Sequence, residues 1–309
     1  MSHKQLHITN GSALTQRLNV LQFEGEFLTW HEMLCEGPTT LHIDNDNFIN
    51  TRETFLTEYY GLEYKREEFK TELDKLNHLD GFEEIVLWFE YDLFCHINLI
   101  GVISLLRQKN IDLPISLVCS GRVEGEKGLK GLGELKSHQL RSHYKHRATL
   151  NNDDLALAEQ CWTIYNSDNH NDFKPLIVTS SSFEYLTNCL KAHLKRFPDT
   201  RSGLGTLEFN ILKLIKANEI KSMHHLLGYV LNYQGFYGFG NIQVERILEH
   251  LSPFYTVYED KVVLNREGDL VILHLKNVHD EIENTMTYGG IKRYGYVFNK
   301  KENKLIQTV

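Results

Sequence analysis

The chain of 309 residues has little of several things, and each shortage removes a class of protein. Five prolines and no low-complexity tract exclude long disordered linkers. The five cysteines, Cys35, Cys95, Cys119, Cys161 and Cys189, are odd in number, scattered and without CxxC spacing. They form no disulfide framework and no cysteine-rich metal site, and read as reduced, mostly buried thiols. No run approaches the ~20 apolar residues of a membrane-spanning helix. The opening MSHKQLHITNG carries no apolar signal core, so a soluble, cytoplasmic protein is expected. A net charge of −8 leaves no global basic footprint, and nucleic acid is not an expected partner. There is no GxGxxG, no GxxxxGK[ST], no HExxH and no GxSxG. A dinucleotide fingerprint, a P-loop, a zincin helix and a nucleophile elbow are therefore absent.

What is present is a 41% hydrophobic chain, too long for one typical domain. Its most informative stretch is Glu84 to Leu106. Ile85 to Phe89 is a short β-branched and aromatic run, suited to a strand buried on both faces. Glu90 and Asp92 break that run, and from Leu93 the apolar residues recur at helical spacing. A strand thus ends in two carboxylates where a helix begins. Similar alternations predict a strand over Leu6–Thr9, a helix over 13–22, a strand over Glu26–Trp30, one or two surface helices over 54–79 broken near Gly61, and a strand over Ile115–Cys119. Strands alternating with helices imply crossovers and a mostly parallel sheet flanked by helices. This α/β region is expected to occupy residues 1–123.

A helical connecting region is expected over 124–200, with Ser180–Ser182 as a cap cluster for a helix running to Phe197. Over 201–309 three short helices and a hairpin at 254–264 outline a winged-helix-like α+β unit, followed by a second hairpin in the tail. The third helix, NIQVERILEHL, sets Arg246 against Glu245 and Glu249. That is a poor surface for phosphates and suits packing or dimerisation better.

HITNG-S-A-L near the start, W-x-E-x-L-x-E-G-P from Trp30, and the LWF strand followed by an aspartate and N-L resemble the family called domain of unknown function 1835. GLGEL (131–135) and TRSGLGTLE (200–208) fit its longer members. The chain has Gly11-Ser12 where members more often carry Gly-Asp. The resemblance implies shared architecture and no particular activity.

In open parallel sheets ligands bind outside the carboxyl ends of the strands, so the polar residues there are the candidate site. Asn10, Gly11 and Ser12 form a strand-to-helix turn whose free N–H groups suit an anion; the plain alternative is a capped turn. Asp92 is the candidate acid or base, and equally a helix cap. Glu90 reads as a solvated neighbour. His7 is either a base or, more simply, a core histidine. Glu36-Gly37-Pro38 is either a turn that aims Glu36 at the crevice or only a turn, and Arg122 offers a cation. His96 shares a helix face with Asp92, but two ligands are not a site, and no metal is expected. The cationic neighbours of His138, His143 and His146 disfavour a dication, leaving a solvated basic helix. No cofactor is specified. The favoured reading is binding of a small anionic, nucleotide-like ligand at the carboxyl edge of the sheet. The alternative is a regulatory or adaptor protein whose C-terminal unit contacts a protein, a nucleic acid or a second copy.

Overall fold

The computed structural model describes residues 4–282 and 284–308. The first half alternates as expected: β1 (Gln5–Asn10), α1 (Ser12–Val20), β2 (Glu26–Trp30), β3 (Gly37–Pro38), α2 (Asp46–Tyr60), α3 (Arg66–Asp74), β4 (Glu84–Phe89), α4 (Leu93–Gln108) and β5 (Ile115–Cys119). There follow α5 (Ser137–Lys145), β6 (Ala148–Thr149), α6 (Asn152–Tyr165), α7 (Phe173–Leu176) and α8 (Leu186–Leu194). The last third holds α9 (Thr206–Ala217), α10 (Met223–Tyr233), α11 (Asn241–His250), β7 (Tyr255–Tyr258), β8 (Lys261–Leu264), α12 (Arg266–Ile272), β9 (Thr287–Gly289), β10 (Ile291–Lys292), β11 (Tyr296–Asn299) and β12 (Lys304–Gln307).

The main sheet has the order β2-β1-β4-β5-β6. Its first four strands are parallel and β6 is antiparallel to β5. Because side chains alternate along a strand, β4 supplies two cores. Ile85, Leu87 and Phe89 enter the larger one with α4, while Val86 and Trp88 enter a smaller one with Leu14 and Leu18 of α1 and Leu140 of α5. The apolar run of β4 is thus explained by burial on both faces. From β1 the chain steps to β2 on one side and later to β4 on the other. The switch point of the sheet therefore lies between the carboxyl ends of β1 and β4.

Local chemistry corrects three expectations. Helix α2 begins at Asp46 rather than near 54, because Asn45 accepts from Phe48 N and starts it earlier. It ends at Gly61, which takes a left-handed φ of 64°. The serines at 180–182 do not cap α8, which has no side-chain cap. Instead Ser182 donates from its N–H and hydroxyl to Asp154 at 2.8 and 2.7 Å. Neither Asn10 nor Ser12 caps α1: Gly11 stands at that position, with φ 96° and no side chain to offer.

The ends of the chain are joined in space. Gly37 and Pro38 of β3 pair in parallel with Tyr288 and Gly289 of β9. Asp199 bridges to Phe298 on β11. Small antiparallel pairs, β7–β8, β9–β10 and β11–β12, complete the C-terminal part. Among the described residues no helix is long and apolar enough to cross a membrane.

Candidate functional site

The first site lies at the carboxyl ends of β1 and β2, beside the ends of α2 and α3 that face each other. A cavity of about 420 Å³ opens there. Its wall combines Asn10 and Gly11 with the apolar surfaces of Trp30, Met33, Leu62, Tyr64, Phe69 and Phe94. Trp30 is buried edge-on against Phe69, with ring centroids 5.6 Å apart. Its indole Nε1 has no hydrogen-bond partner among the described residues, an arrangement rare for a buried donor. Beside it, α1 starts without a side-chain cap. The first-turn N–H groups of any helix lack intrahelical partners and carry the positive end of its dipole. The Gly11 N–H itself is engaged, donating to Thr9 O at 3.1 Å and Trp30 O at 3.0 Å. Ser12 is exposed and stands outside the cavity wall.

The switch point itself is filled. Asn10 donates from Nδ2 to Cys95 Sγ at 3.1 Å and accepts from Asn98 Nδ2 at 2.9 Å. Asn98 also donates to Glu32 O at 2.6 Å and accepts from Leu34 N at 3.0 Å. Asparagines thus stitch β1, α4 and the chain after β2 together. Behind Asn10, Asp92 caps α4 by accepting from Cys95 N at 2.8 Å. The segment between α10 and α11 closes over it. Leu93 and Phe94 donate their N–H groups to Phe236 O and Tyr237 O. Gly238, at φ +68°, lies so close that a Cβ there would collide with the Asp92 carboxyl. With little water near it, Asp92 is pushed up by burial to a pKa of about 7. Glu90 is not the solvated residue expected. It lies under the 131–134 turn, accepts from Gly133 N at 3.1 Å, and is also pushed up by burial.

Glu90, Asp92 and Cys95 bring one ligand atom each within 4.8 Å of one another. Burial drives all three toward their protonated forms. Asp92 does not line the cavity. Cys95, which donates its N–H to Asp92 and accepts from Asn10, stands between the two.

The remaining expected residues disperse. His7 sits inside the sheet, accepting at Nδ1 from Trp88 Nε1 at 3.0 Å. Its Nε2 must then carry the proton, donated to Glu24 O at 2.9 Å, and burial lowers its pKa. It is the core histidine of the simpler reading. Glu36 turns away from the sheet edge to meet Arg246 of α11 at 2.8 Å and Gln243 at 3.1 Å, with Tyr60 also donating to it. Arg122 lies beyond β5, at the other side of the sheet. The expected convergence on one edge therefore separates into a cavity at β1–β2, a carboxyl cluster at β4 and a cation near β5.

One arginine, Arg52, escaped the sequence reading, and Arg246 was read for packing without its partner. Arg52 is fully buried and pairs with Glu32 at 3.0 Å, while also donating to Glu36 O, Pro38 O and Met33 O. It shapes the 32–38 segment that forms one side of the cavity. Its signal was its place on the apolar stripe of α2, among Phe48, Ile49, Phe55 and Leu56. Arg246 had no comparable signal toward Glu36, since 210 residues separate them.

No family model and no curated protein sequence matches this chain. Among solved structures it is similar to the Plasmodium falciparum topoisomerase II DNA-binding, cleavage and re-ligation domain, at 11% identity and a TM-score of 0.48. That likeness covers 81% of this chain and 42% of the other, so this chain spans less than half of that one. It is too distant to bear on activity.

Proposed function

We propose that the chain is a cytoplasmic α/β protein that binds a small ligand with a flat apolar body and one anionic group, nucleotide-like in build, in the β1–β2 cavity. The observation that carries this is the unpartnered Trp30 N–H in a cavity wall that also holds Asn10 and Gly11, the two residues that lead into the uncapped start of α1. A buried donor without a partner costs about 1–3 kcal/mol. A ligand acceptor would relieve that cost. Trp30, Tyr64 and Phe69 suit an aromatic body, and the first turn of α1 suits an anion. Glu63, Lys65 and Glu68 stand together at the far side of the wall, with Lys65 paired to Glu68 at 2.9 Å, and the positive end of the α1 dipole favours an anion at the Gly11 end. Five free cysteines, four of them buried, support a reducing compartment. This reading also gives a role to the loop that resembles the family of unknown function.

The adaptor alternative draws support from the C-terminal part. Three helices, the β7–β8 hairpin and the Ile220–Val262 bridge suit a winged-helix-like unit. Its third helix directs Arg246 inward to Glu36 rather than to a partner's phosphates, which favours a packing role for that helix.

Calorimetric titration with AMP and adenosine tests the proposal. Ser12→Pro removes one first-turn N–H. Proline is tolerated there, and Gly11 already has the extended ψ of 152° that precedes a proline. Trp30→Phe keeps a ring in the wall and removes the indole N–H. The expected result is AMP binding tighter than adenosine binding, weakened roughly tenfold in each variant, as for loss of one hydrogen bond to a charged group. Equal AMP affinity in wild type and both folded variants, or no binding of either compound to the wild type, overturns it.

A further inference from the structure

A second cavity, of about 310 Å³, lies on the outer side of β5. Strand β6 pairs with Ser116 and Leu117, and among the described residues β5 has no strand partner on that side from Val118 onward. The space beyond is bounded by the last turn of α5 and by the 182–185 segment that leads into α8. Unlike the first cavity, its wall is chiefly polar.

Four side chains there have polar atoms without a protein partner among the described residues. Ser120 is 1% exposed, and its Oγ has no partner. Arg122 donates its backbone N–H to Tyr185 Oη at 3.0 Å, but its guanidinium makes no hydrogen bond or ion pair among the described residues. His143 and His146 each use Nδ1 on a backbone carbonyl, Gln139 O at 3.1 Å and Ser142 O at 2.8 Å. A carbonyl only accepts, so both Nδ1 atoms carry the proton. The two Nε2 atoms have no partner among the described residues, and in the neutral tautomer each presents a lone pair. By contrast Arg147, also in the wall, is engaged by Glu84 through two 2.8 Å contacts.

We infer that this cavity binds a phosphate monoester carried on a hydroxylated body, the chemistry of a sugar phosphate. The free guanidinium of Arg122 and the buried Ser120 hydroxyl supply the anion's partners. The two Nε2 acceptors, with the exposed Glu184 carboxylate at the rim, take hydroxyl protons. A cation is a poorer fit, since Arg122 and Arg147 both stand in the wall and no third ligand joins the two histidines within metal-binding distance. An apolar ligand would leave Ser120 and both imidazoles unsatisfied. This site is distinct from the β1–β2 cavity: the two lie on opposite sides of the sheet order and share no wall residue.

The test uses the full chain and reads the site directly, through the ring ¹⁵N resonances of His143 and His146. Glucose 6-phosphate, inorganic phosphate and glucose are titrated in turn. Glucose 6-phosphate is expected to shift both Nε2 resonances saturably. Inorganic phosphate is expected to bind more weakly, and glucose to leave both unmoved. Arg122→Gln should weaken glucose 6-phosphate roughly tenfold, and Ser120→Ala should weaken it less. Because Arg122 is exposed, its replacement leaves the fold intact. Ser12→Pro should leave these shifts unchanged, which separates this site from the β1–β2 cavity. Silent histidine resonances with glucose 6-phosphate, or unaltered affinity in Arg122→Gln, overturn the inference.

Discussion

Asp92 shows how a single residue combines two tasks. As the cap of α4 it accepts from Cys95 N, and as a carboxyl buried under Gly238 it holds its proton up to about pH 7. An unfolded aspartate ionises near ~3.9. Between those values the folded chain binds the extra proton, so the Asp92 contribution to stability is full below about pH 4 and is lost as pH rises through 7. Asparagine keeps the cap without titrating. Denaturant melts of Asp92→Asn against wild type should show the variant gaining relative stability from pH 4 to pH 8, by on the order of 4 kcal/mol at most. A pH-independent difference would contradict the assignment. His96 and His170, lowered by burial to about 4 and about 3, act in the opposite sense. Their contribution is present above the usual histidine range and lost as pH falls through those values, across much of the window in which Asp92 acts, so the Asp92→Asn comparison rather than the wild-type curve isolates the aspartate. The cap was legible in the sequence, because an aspartate stood directly before a helical period. Its protonation was not, because the glycine that covers it comes from 146 residues downstream.

At the scale of elements, β4 and α4 were legible because each is apolar in a way only one environment explains. What organises them from outside was not. The start of α2 hung on Asn45, the 131–134 turn on Glu90, and the closure over Asp92 on a segment between two C-terminal helices. Each is a side-chain-to-backbone bond or a close approach, invisible to periodicity. Gly238→Ala meets both a left-handed φ and the Asp92 carboxyl. It should destabilise the protein by about 1–3 kcal/mol, and amide exchange should quicken at Leu93 and Phe94, whose N–H groups bond to that segment. Unchanged exchange at both would mean that the segment is not what holds the start of α4.

At the scale of the molecule, the candidate site depends on contacts between distant parts of the chain. Glu36 is buried against Arg246, and β3 pairs with β9. Removing one partner of a buried ion pair costs about 3–5 kcal/mol because the other is left uncompensated. Arg246→Met should therefore destabilise by that order, and Glu36→Gln combined with it should recover part of the loss. A double-mutant cycle with no coupling would show the pair to be inert. The same contacts predict that Trp88 fluorescence and a probe on α11 report coincident unfolding transitions. None of these pairings could be read from sequence, since charge and spacing say nothing about partners more than 200 residues apart.

The central claim, a ligand at the β1–β2 cavity, is tested most directly by the three tryptophan indole N–H resonances. Trp88 Nε1 is engaged by His7 Nδ1 at 3.0 Å and Trp162 Nε1 by Leu41 O at 2.9 Å, whereas Trp30 Nε1 has no partner. Titration with AMP, followed by ¹H–¹⁵N correlation, should move the Trp30 resonance downfield and saturably, with Trp88 and Trp162 nearly still. A Trp30 resonance that stays in place while AMP binds elsewhere, or no binding at all, would contradict the account.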